Sequence, residues 1–375
     1  MKRWLWRGTA PDEIHRVLIF VFALALASCA GRPQNVILPV AANAPGASSV
    51  DLIVATTRRS VDTQGELYSG ERGSGLAFAN VIVSIPPDGS RKAGEVQWPA
   101  SLPGNPATDF VTRKVGRLDV ASARKWLDAH AAATRKHRVL VFVHGFNNRF
   151  DDAVYRFAQL VHDSGAEVTP MLFTWPSRGS VFAYGYDRES ANLSRDALEQ
   201  VLDMLVRNPA VTEVDILAHS MGNWLVLETL RQMAIRNRHI PGKIDDVMLA
   251  SPDIDVDVFS NELAEMGDPH PKFTLFVSQD DQALAASKWL YGSVTRLGAI
   301  DPEVEPYKTR LAVEHVNVFD LTKLKSDDSL SHSKFAAAPE VVRLLGQRLE
   351  KGQALVDSRE GLVDRVIDDL EHHMV

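Results

Sequence analysis

One run constrains this chain more than any other: Val214-Asp215-Ile216-Leu217-Ala218-His219-Ser220-Met221-Gly222. An apolar stretch ends in a serine with small residues, Ala218 and Gly222, two positions to either side. A helix-forming stretch, residues 223–234, follows at once. Strand, tight turn and helix in that order make a nucleophile elbow, in which the turn lifts the serine hydroxyl over the sheet edge. The turn has no room for bulk at the flanking positions. Alanine in place of the usual first glycine meets that demand.

The rest of the chain reads as a framework for such a turn. Residues 50–56 and 76–85 are expected to be strands, residues 95–98 a third short one, and residues 99–117 a proline-rich connection. A helix is expected over 121–137. A regular series follows: strands at 138–144, 168–175, 211–218, 246–251, 273–278 and 315–321, with helices at 151–164, 188–207, 221–236, 282–291 and 335–349. Strands alternating with helices imply crossover connections and a mostly parallel sheet. The runs VLVFV and VDILA are apolar nearly throughout, which fits central strands with helices on both faces. The class is α/β.

At 375 residues there is material for one large domain or two ordinary ones. The net charge is −7 with no basic block, which argues against a nucleic-acid partner. The N-terminus says more. Lys2, Arg3, Arg7 and Arg16 precede an apolar run at 17–27, too short to span a bilayer and suited to the core of a secretory signal. The run ends Leu26-Ala27-Ser28-Cys29, which resembles a bacterial lipobox, cut before the cysteine and lipidated there, with palmitate among the acyl groups expected. The reading is therefore a signal peptide at 1–28 and a lipid anchor at Cys29. A flexible tether at 29–49, a domain at 50–350 and a C-terminal tail or peripheral helix at 351–375 follow. Removal of 1–28 takes away four basic and two acidic side chains, moving the charge from −7 to −9. Ala30, rather than aspartate, resembles a signal for the outer membrane, facing the periplasm. Cys29 is the only cysteine, so no intrachain disulfide can form.

A serine needs a positioned base, and the base an acid. The strand at 273–278 runs into Asp280-Asp281; Asp281 is the expected acid and Asp280 the alternative, with helix capping the plain role for either. His332, in a polar loop beyond the last strand, is the expected base. His315 begins a strand, His270 precedes the acid, His372 and His373 lie in the tail, and His219 adjoins the serine. An oxyanion needs preorganised N–H donors. Met221, opening the helix, and Phe146, in the loop Val143-His144-Gly145-Phe146, would give them through the main chain. Gly145 permits close approach, and His144 would support the loop by hydrogen bonding.

The segments FVHGFNNRFDDAVYRFAQL, LFTWPSRG, ILAHSMGNW, LASPDIDVDVF, DDQAL and LSHSKF, with IVATTRR at 53–59, are together specific. Over residues 50–348 the chain resembles an uncharacterised esterase/lipase-like family of the α/β-hydrolase superfamily. The resemblance implies an α/β-hydrolase fold and a triad of Ser220, Asp281 and His332, and no particular substrate. Ser331 stands where that family has glycine. The function expected is a serine hydrolase acting on an ester or thioester, its substrate a small or lipid-like acyl compound, with no cofactor and no metal. A non-catalytic envelope binding protein and a peptidase or amidase are the alternatives. Asp253, Asp255 and Asp257 alternate after a strand but lack the further ligands of a cation site. Trp175, Phe182, Tyr184 and Tyr186 could line an acyl pocket or simply pack.

Overall fold

The structure is a computed structural model describing residues 33–351, except 291, 326 and 327. The expected signal peptide, Cys29 and residues 352–375 lie outside the described residues. From Asn35 onward the chain forms one compact unit; of the unit before it only Pro33 and Gln34 are described. No helix among the described residues is long and apolar enough to cross a membrane.

Among these residues nine strands form one sheet: β1 (Ser48–Ser60), β2 (Tyr68–Ile85), β3 (Val111–Leu118), β4 (Arg138–Val143), β5 (Thr169–Thr174), β6 (Glu213–His219), β7 (Ile244–Ala250), β8 (Lys272–Val277) and β9 (Asn317–Asp320). Their order is β3-β2-β1-β5-β4-β6-β7-β8-β9. Only β2 runs against its neighbours; every other pairing is parallel. The helices are α1 (Val120–Ala133), α2 (Phe150–Ser164), α3 (Tyr184–Leu193), α4 (Arg195–Arg207), α5 (Met221–Asn237), α6 (Val256–Met266), α7 (Gln282–Leu290), α8 (Tyr307–Val313), α9 (Lys334–Ala337) and α10 (Pro339–Lys351).

The central strands serve two cores because successive side chains point to opposite faces. Val139, Val141 and Val143 join one core with residues of α1, α4, α5 and α6. Leu140 and Phe142 join the other with residues of α2 and α10. Burial on both faces is why these strands read as unbroken apolar runs.

Several expectations are corrected. Residues 95–98 are not a strand; the third strand, β3, lies inside the supposed proline-rich connection, and Phe110 reaches back to donate to the Gln97 carbonyl at 2.8 Å. The helix expected over 188–207 is two helices that break at Ser194, whose hydroxyl donates to the Ser190 carbonyl at 2.7 Å and meets Thr57 Oγ1 at 2.8 Å. The last helix likewise divides into α9 and α10 before Pro339, which has no N–H to continue the ladder. Helices α6 and α8 were not anticipated. The tether is shorter than its composition suggests. Val36 and Ile37 are buried, Tyr155 donates to the Val36 carbonyl at 2.8 Å, and Val40 donates to Thr112 at 2.8 Å, so residues from Asn35 onward belong to the domain.

Candidate active site

Strand β6 ends at His219 and α5 begins at Met221, so Ser220 alone makes the turn. Its φ is 51° and its ψ −121°, a strained conformation for a residue with a Cβ, at a cost of roughly 1–3 kcal/mol. Its surroundings impose it. The Ser220 N–H donates to the Ala250 carbonyl at 2.9 Å. The Asn223 N–H and side-chain amide both donate to the Ser220 carbonyl, at 3.1 and 2.9 Å. The same amide nitrogen ties in the Ala250 carbonyl at 2.9 Å. A Cβ at Gly222 would lie 2.5 Å from the His144 carbonyl oxygen, and one at Gly145 would lie 2.8 Å from Ser220 Cβ. Glycine at both positions lets the loop after β4 close onto the elbow.

Asp281 and His332 come together nearby. His332 Nδ1 lies 2.7 Å from Asp281 Oδ2, and the Asp281 side chain is fully buried. Asp281 Oδ1 also accepts the Leu284 N–H at 2.9 Å, so one carboxylate both caps α7 and holds the imidazole. Asp280 turns elsewhere. Its oxygens take the ammonium of the buried Lys334 at 2.8 and 2.9 Å and the Ser331 hydroxyl at 3.0 Å. Burial alone would raise the Asp280 carboxyl, but Lys334 with Ser278 and Ser331 holds it below the usual carboxylate range. Of the two aspartates, Asp281 is the one on the histidine.

The main chain of His332 is fixed from both ends. Asp328 Oδ2 accepts the N–H groups of His332 and Ser333 at 2.7 and 2.6 Å. The His332 carbonyl receives the Ser251 hydroxyl at 3.0 Å and faces His219 Nε2 at 3.2 Å. The rings of His219 and His332 are 4.8 Å apart. His219 is thus a support for His332. Burial, and then the neighbouring His332, keep the His219 imidazole well below its ordinary value. Burial pulls His332 the same way, but the charge and hydrogen bond of Asp281 outweigh it, and His332 stands above the ordinary 6.5. Ser331 has φ 54°, which explains why glycine suits this place; the serine here offsets the strain with its bond to Asp280.

Residues 119–348 match the family described as "Alpha/beta hydrolase of unknown function (DUF900)". The chain belongs to this family. No curated protein matches it in sequence. Similar solved structures include carboxyl esterase 2 from the mycorrhizal fungus Tuber melanosporum, at 12% identity over 88% of this chain and 97% of that one, TM-score 0.38. Brefeldin A esterase, described as a bacterial homologue of human hormone sensitive lipase, is 13% identical over 92% of this chain and 87% of that one, TM-score 0.37. An esterase from the archaeon Pyrobaculum calidifontis is 14% identical over 62% of this chain and 93% of that one, TM-score 0.35.

In this DUF900 hydrolase the loop after β4 is braced from below by a residue the sequence did not single out. Arg58, at the carboxyl end of β1, is buried. Its guanidinium donates to Thr174 Oγ1 at 2.8 Å and to the carbonyls of Ser177 and Asn148 at 2.8 and 2.7 Å, and faces His144 Nε2 at 3.3 Å. His144 Nδ1 lies 2.8 Å from the Gly145 carbonyl, so that nitrogen carries the hydrogen and Nε2 accepts, from Thr174 Oγ1 at 2.8 Å. Burial and the Arg58 charge push the His144 imidazole down to about 3, so it is neutral. Asn148 Nδ2 donates to the same Gly145 carbonyl at 3.3 Å. A trans peptide sets its N–H opposite its C=O. The Phe146 N–H therefore faces away from His144 and Asn148. Met221 is the first residue of α5, where an N–H has no partner within the helix.

Arg58→Met is expected to lower unfolding stability by about 3 kcal/mol or more in urea denaturation, because several buried acceptors lose their donor at once. Arg58→Lys cannot reproduce the planar fork and should recover only part. A loss under about 1 kcal/mol for Arg58→Met would show that the loop stands without it.

The four aromatic candidates separate. Trp175 is fully buried, stacks on His144 at 4.9 Å and donates to the His144 carbonyl at 2.9 Å, so it packs beneath the loop and lines no pocket. Tyr186 belongs to a surface cluster with Arg178, whose guanidinium lies 3.6 Å from its ring, and Glu71. Phe182 is 83% exposed. Tyr184 alone adjoins the site: its ring meets that of Phe146 edge-on at 5.0 Å and its hydroxyl donates to Asp253 at 2.6 Å. The alternating aspartates also diverge. Asp253 takes Tyr184, Ser287 and Arg296; Asp255 caps α6; Asp257 pairs with Arg310.

Proposed function

We propose that this protein is a serine hydrolase that cleaves a carboxylic ester or thioester through an acyl-enzyme, anchored through lipid on Cys29 in the bacterial envelope, at the outer membrane and facing the periplasm. The observation that carries the reading is the 2.7 Å pair of His332 Nδ1 with the buried carboxylate of Asp281, which follow β9 and β8 at the same carboxyl edge of the sheet as the Ser220 turn after β6. The carboxylate fixes the tautomer with hydrogen on Nδ1 and leaves Nε2 to accept the serine proton. Ser220 Oγ attacks the acyl carbonyl and His332 takes its proton. The Phe146 and Met221 N–H groups receive the oxyanion. The tetrahedral intermediate expels the alcohol or thiol, which takes the proton back from His332. Water, deprotonated by the same imidazole, then attacks the acyl-serine; the second intermediate breaks its bond to Ser220 Oγ, which takes that proton back from His332, and the acid and resting enzyme are released. Ser220 supplies the electron pair and proton of the first half of this cycle, and water those of the second.

A fluorophosphonate probe should label the protein with 1:1 stoichiometry, and the label should map to the tryptic peptide holding Ser220. A panel of chromogenic esters and thioesters of graded chain length, run beside peptide amides, then ranks the acyl group. Labelling elsewhere, or no labelling with the fold intact, sinks the assignment. Turnover of amides alone would make the protein an amidase.

A further inference from the structure

The compact unit starts, at Asn35, at the same sheet edge as the site. Asn35 packs on Gly65 in the turn between β1 and β2; a Cβ at Gly65 would meet the Asn35 carbonyl oxygen at 2.6 Å. That turn follows the carboxyl end of β1, where Ser60 pairs with Tyr68. Strand β1 runs parallel with β5, and so with β4, β6, β7, β8 and β9. Asn35 therefore stands at the carboxyl edge, where Ser220, Asp281 and His332 follow β6, β8 and β9. From there the chain crosses the sheet margin, with Val40 bonded to Thr112 of β3, and reaches Gly46 beside Pro87, beyond the far end of β2.

The same edge presents exposed aromatic side chains. Phe182 is 83% and Trp289 77% exposed. A polar bridge draws their segments together: Tyr184, two residues after Phe182, and Ser287, two before Trp289, both donate to Asp253, at 2.6 Å each. Val181 and Leu290 are exposed beside them, and so is Leu330, two residues before His332. Scattered exposed apolar residues are ordinary; a group around the mouth of a site calls for an occupant.

We infer that this rim docks on a lipid bilayer, and that the acyl substrate reaches Ser220 from that surface. The inference rests on the proposed ester hydrolysis and on lipidation of Cys29. The length of chain names the occupant. Six residues lead from Cys29 to Asn35, at most about 20 Å fully extended. A lipid on Cys29 thus holds the carboxyl edge, not the opposite edge, next to the bilayer. Phe and Trp favour the headgroup boundary. The net charge of −9 left after removal of residues 1–28 gives no electrostatic pull toward anionic lipid, so apolar insertion does the docking, and the contact should be insensitive to salt.

The lipidated mature protein, beginning at Cys29, is reconstituted into phosphatidylcholine vesicles and compared with Trp289→Ser and Trp289→Phe. Vesicles of brominated-chain phosphatidylcholine should quench a part of the tryptophan emission that is missing in Trp289→Phe. Equal quenching in both overturns docking, and this readout does not depend on turnover. On a long-chain ester carried in the vesicles, Trp289→Ser should lose about tenfold, the worth of one buried aromatic, while a short soluble ester is turned over as by wild type. Equal rates on the vesicle-borne ester overturn the substrate route. Inactivity of the wild type on both esters overturns the hydrolase reading, and with it that route, and leaves docking to the quenching result.

Discussion

Ser220→Ala is expected to lower kcat on a short soluble ester by about a million-fold with the fold intact. Alanine keeps the Cβ that faces Gly145 and the main-chain bonds to Ala250 and Asn223. It adopts φ 51° at the same cost as serine, so thermal stability should barely move. What goes is the only group that can form the acyl-enzyme. A nucleophile, base and acid act as a unit, so adding His332→Ala to Ser220→Ala should cost little more. The rate left over should exceed that in water by about a thousand-fold or more, from substrate binding and the N–H groups of Phe146 and Met221. The measurement is kcat normalised to folded protein, with melting curves beside it. A variant retaining more than about a thousandth of wild-type kcat would mean that another group attacks, and the elbow would lose its meaning.

The elbow was legible because its demands are local. A strand, a serine and a helix in immediate succession, with Ala218 and Gly222 at the tight positions, can be read without knowing what packs against them. The partners Asp281 and His332 were legible by order along the chain. Ordering could not separate Asp281 from Asp280, because adjacent residues after one strand satisfy it equally. Lys334 separates them in space: it sits two residues past His332, takes Asp280, and leaves Asp281 to the imidazole. Arg58 was illegible for a related reason. Its partners Ser69, His144, Asn148, Thr174 and Ser177 come from three other segments, so no spacing near residue 58 announces them. Strand β3 was hidden by the prolines before it, although VTRKVGRL pairs along most of its length with β2. Composition misled most at 35–42, where a proline and two alanines continuing into 43–48 suggested a tether but Val36 and Ile37 are buried.

Arg58 and Lys334 solve one problem twice. Loops at the carboxyl edge of a sheet carry chemistry but have little packing of their own. A buried cation can collect oxygen acceptors from more than one loop at once, and each does. Arg58 gathers the loops after β4 and β5 beneath the elbow. Lys334 gathers Ser278, Asp280 and the carbonyls of Leu321 and Thr322, joining the loop after β8 to the loop after β9. The acid and the base therefore ride on segments fastened to each other, and the separation of Asp281 from His332 is set by more than their own hydrogen bond.

That fastening makes the aspartate pair a sharp test. Asp281→Asn is expected to lower kcat by about ten-thousand-fold, whereas Asp280→Asn should leave kcat within roughly tenfold and lower stability by about 1–3 kcal/mol through Lys334. An asparagine at 281 can turn its amide N–H toward Nδ1. The imidazole then carries its hydrogen on Nε2, and Ser220 loses its acceptor. The pH profile should move too, and the sign is fixed. His332 works as a base only when neutral, so kcat/KM rises with pH as His332 loses its proton. Asp281 holds that proton on, which sets the rising limb above 6.5 in the wild type. With the charge removed, burial is left to act and the limb should shift to lower pH, by the charge and hydrogen-bond contribution together. Asp280→Asn, whose carboxylate is bonded to Lys334 and Ser331 and not to the imidazole, should leave the limb in place. If the limb moved with Asp280 and not with Asp281, the acid would be misassigned, whatever the rates showed.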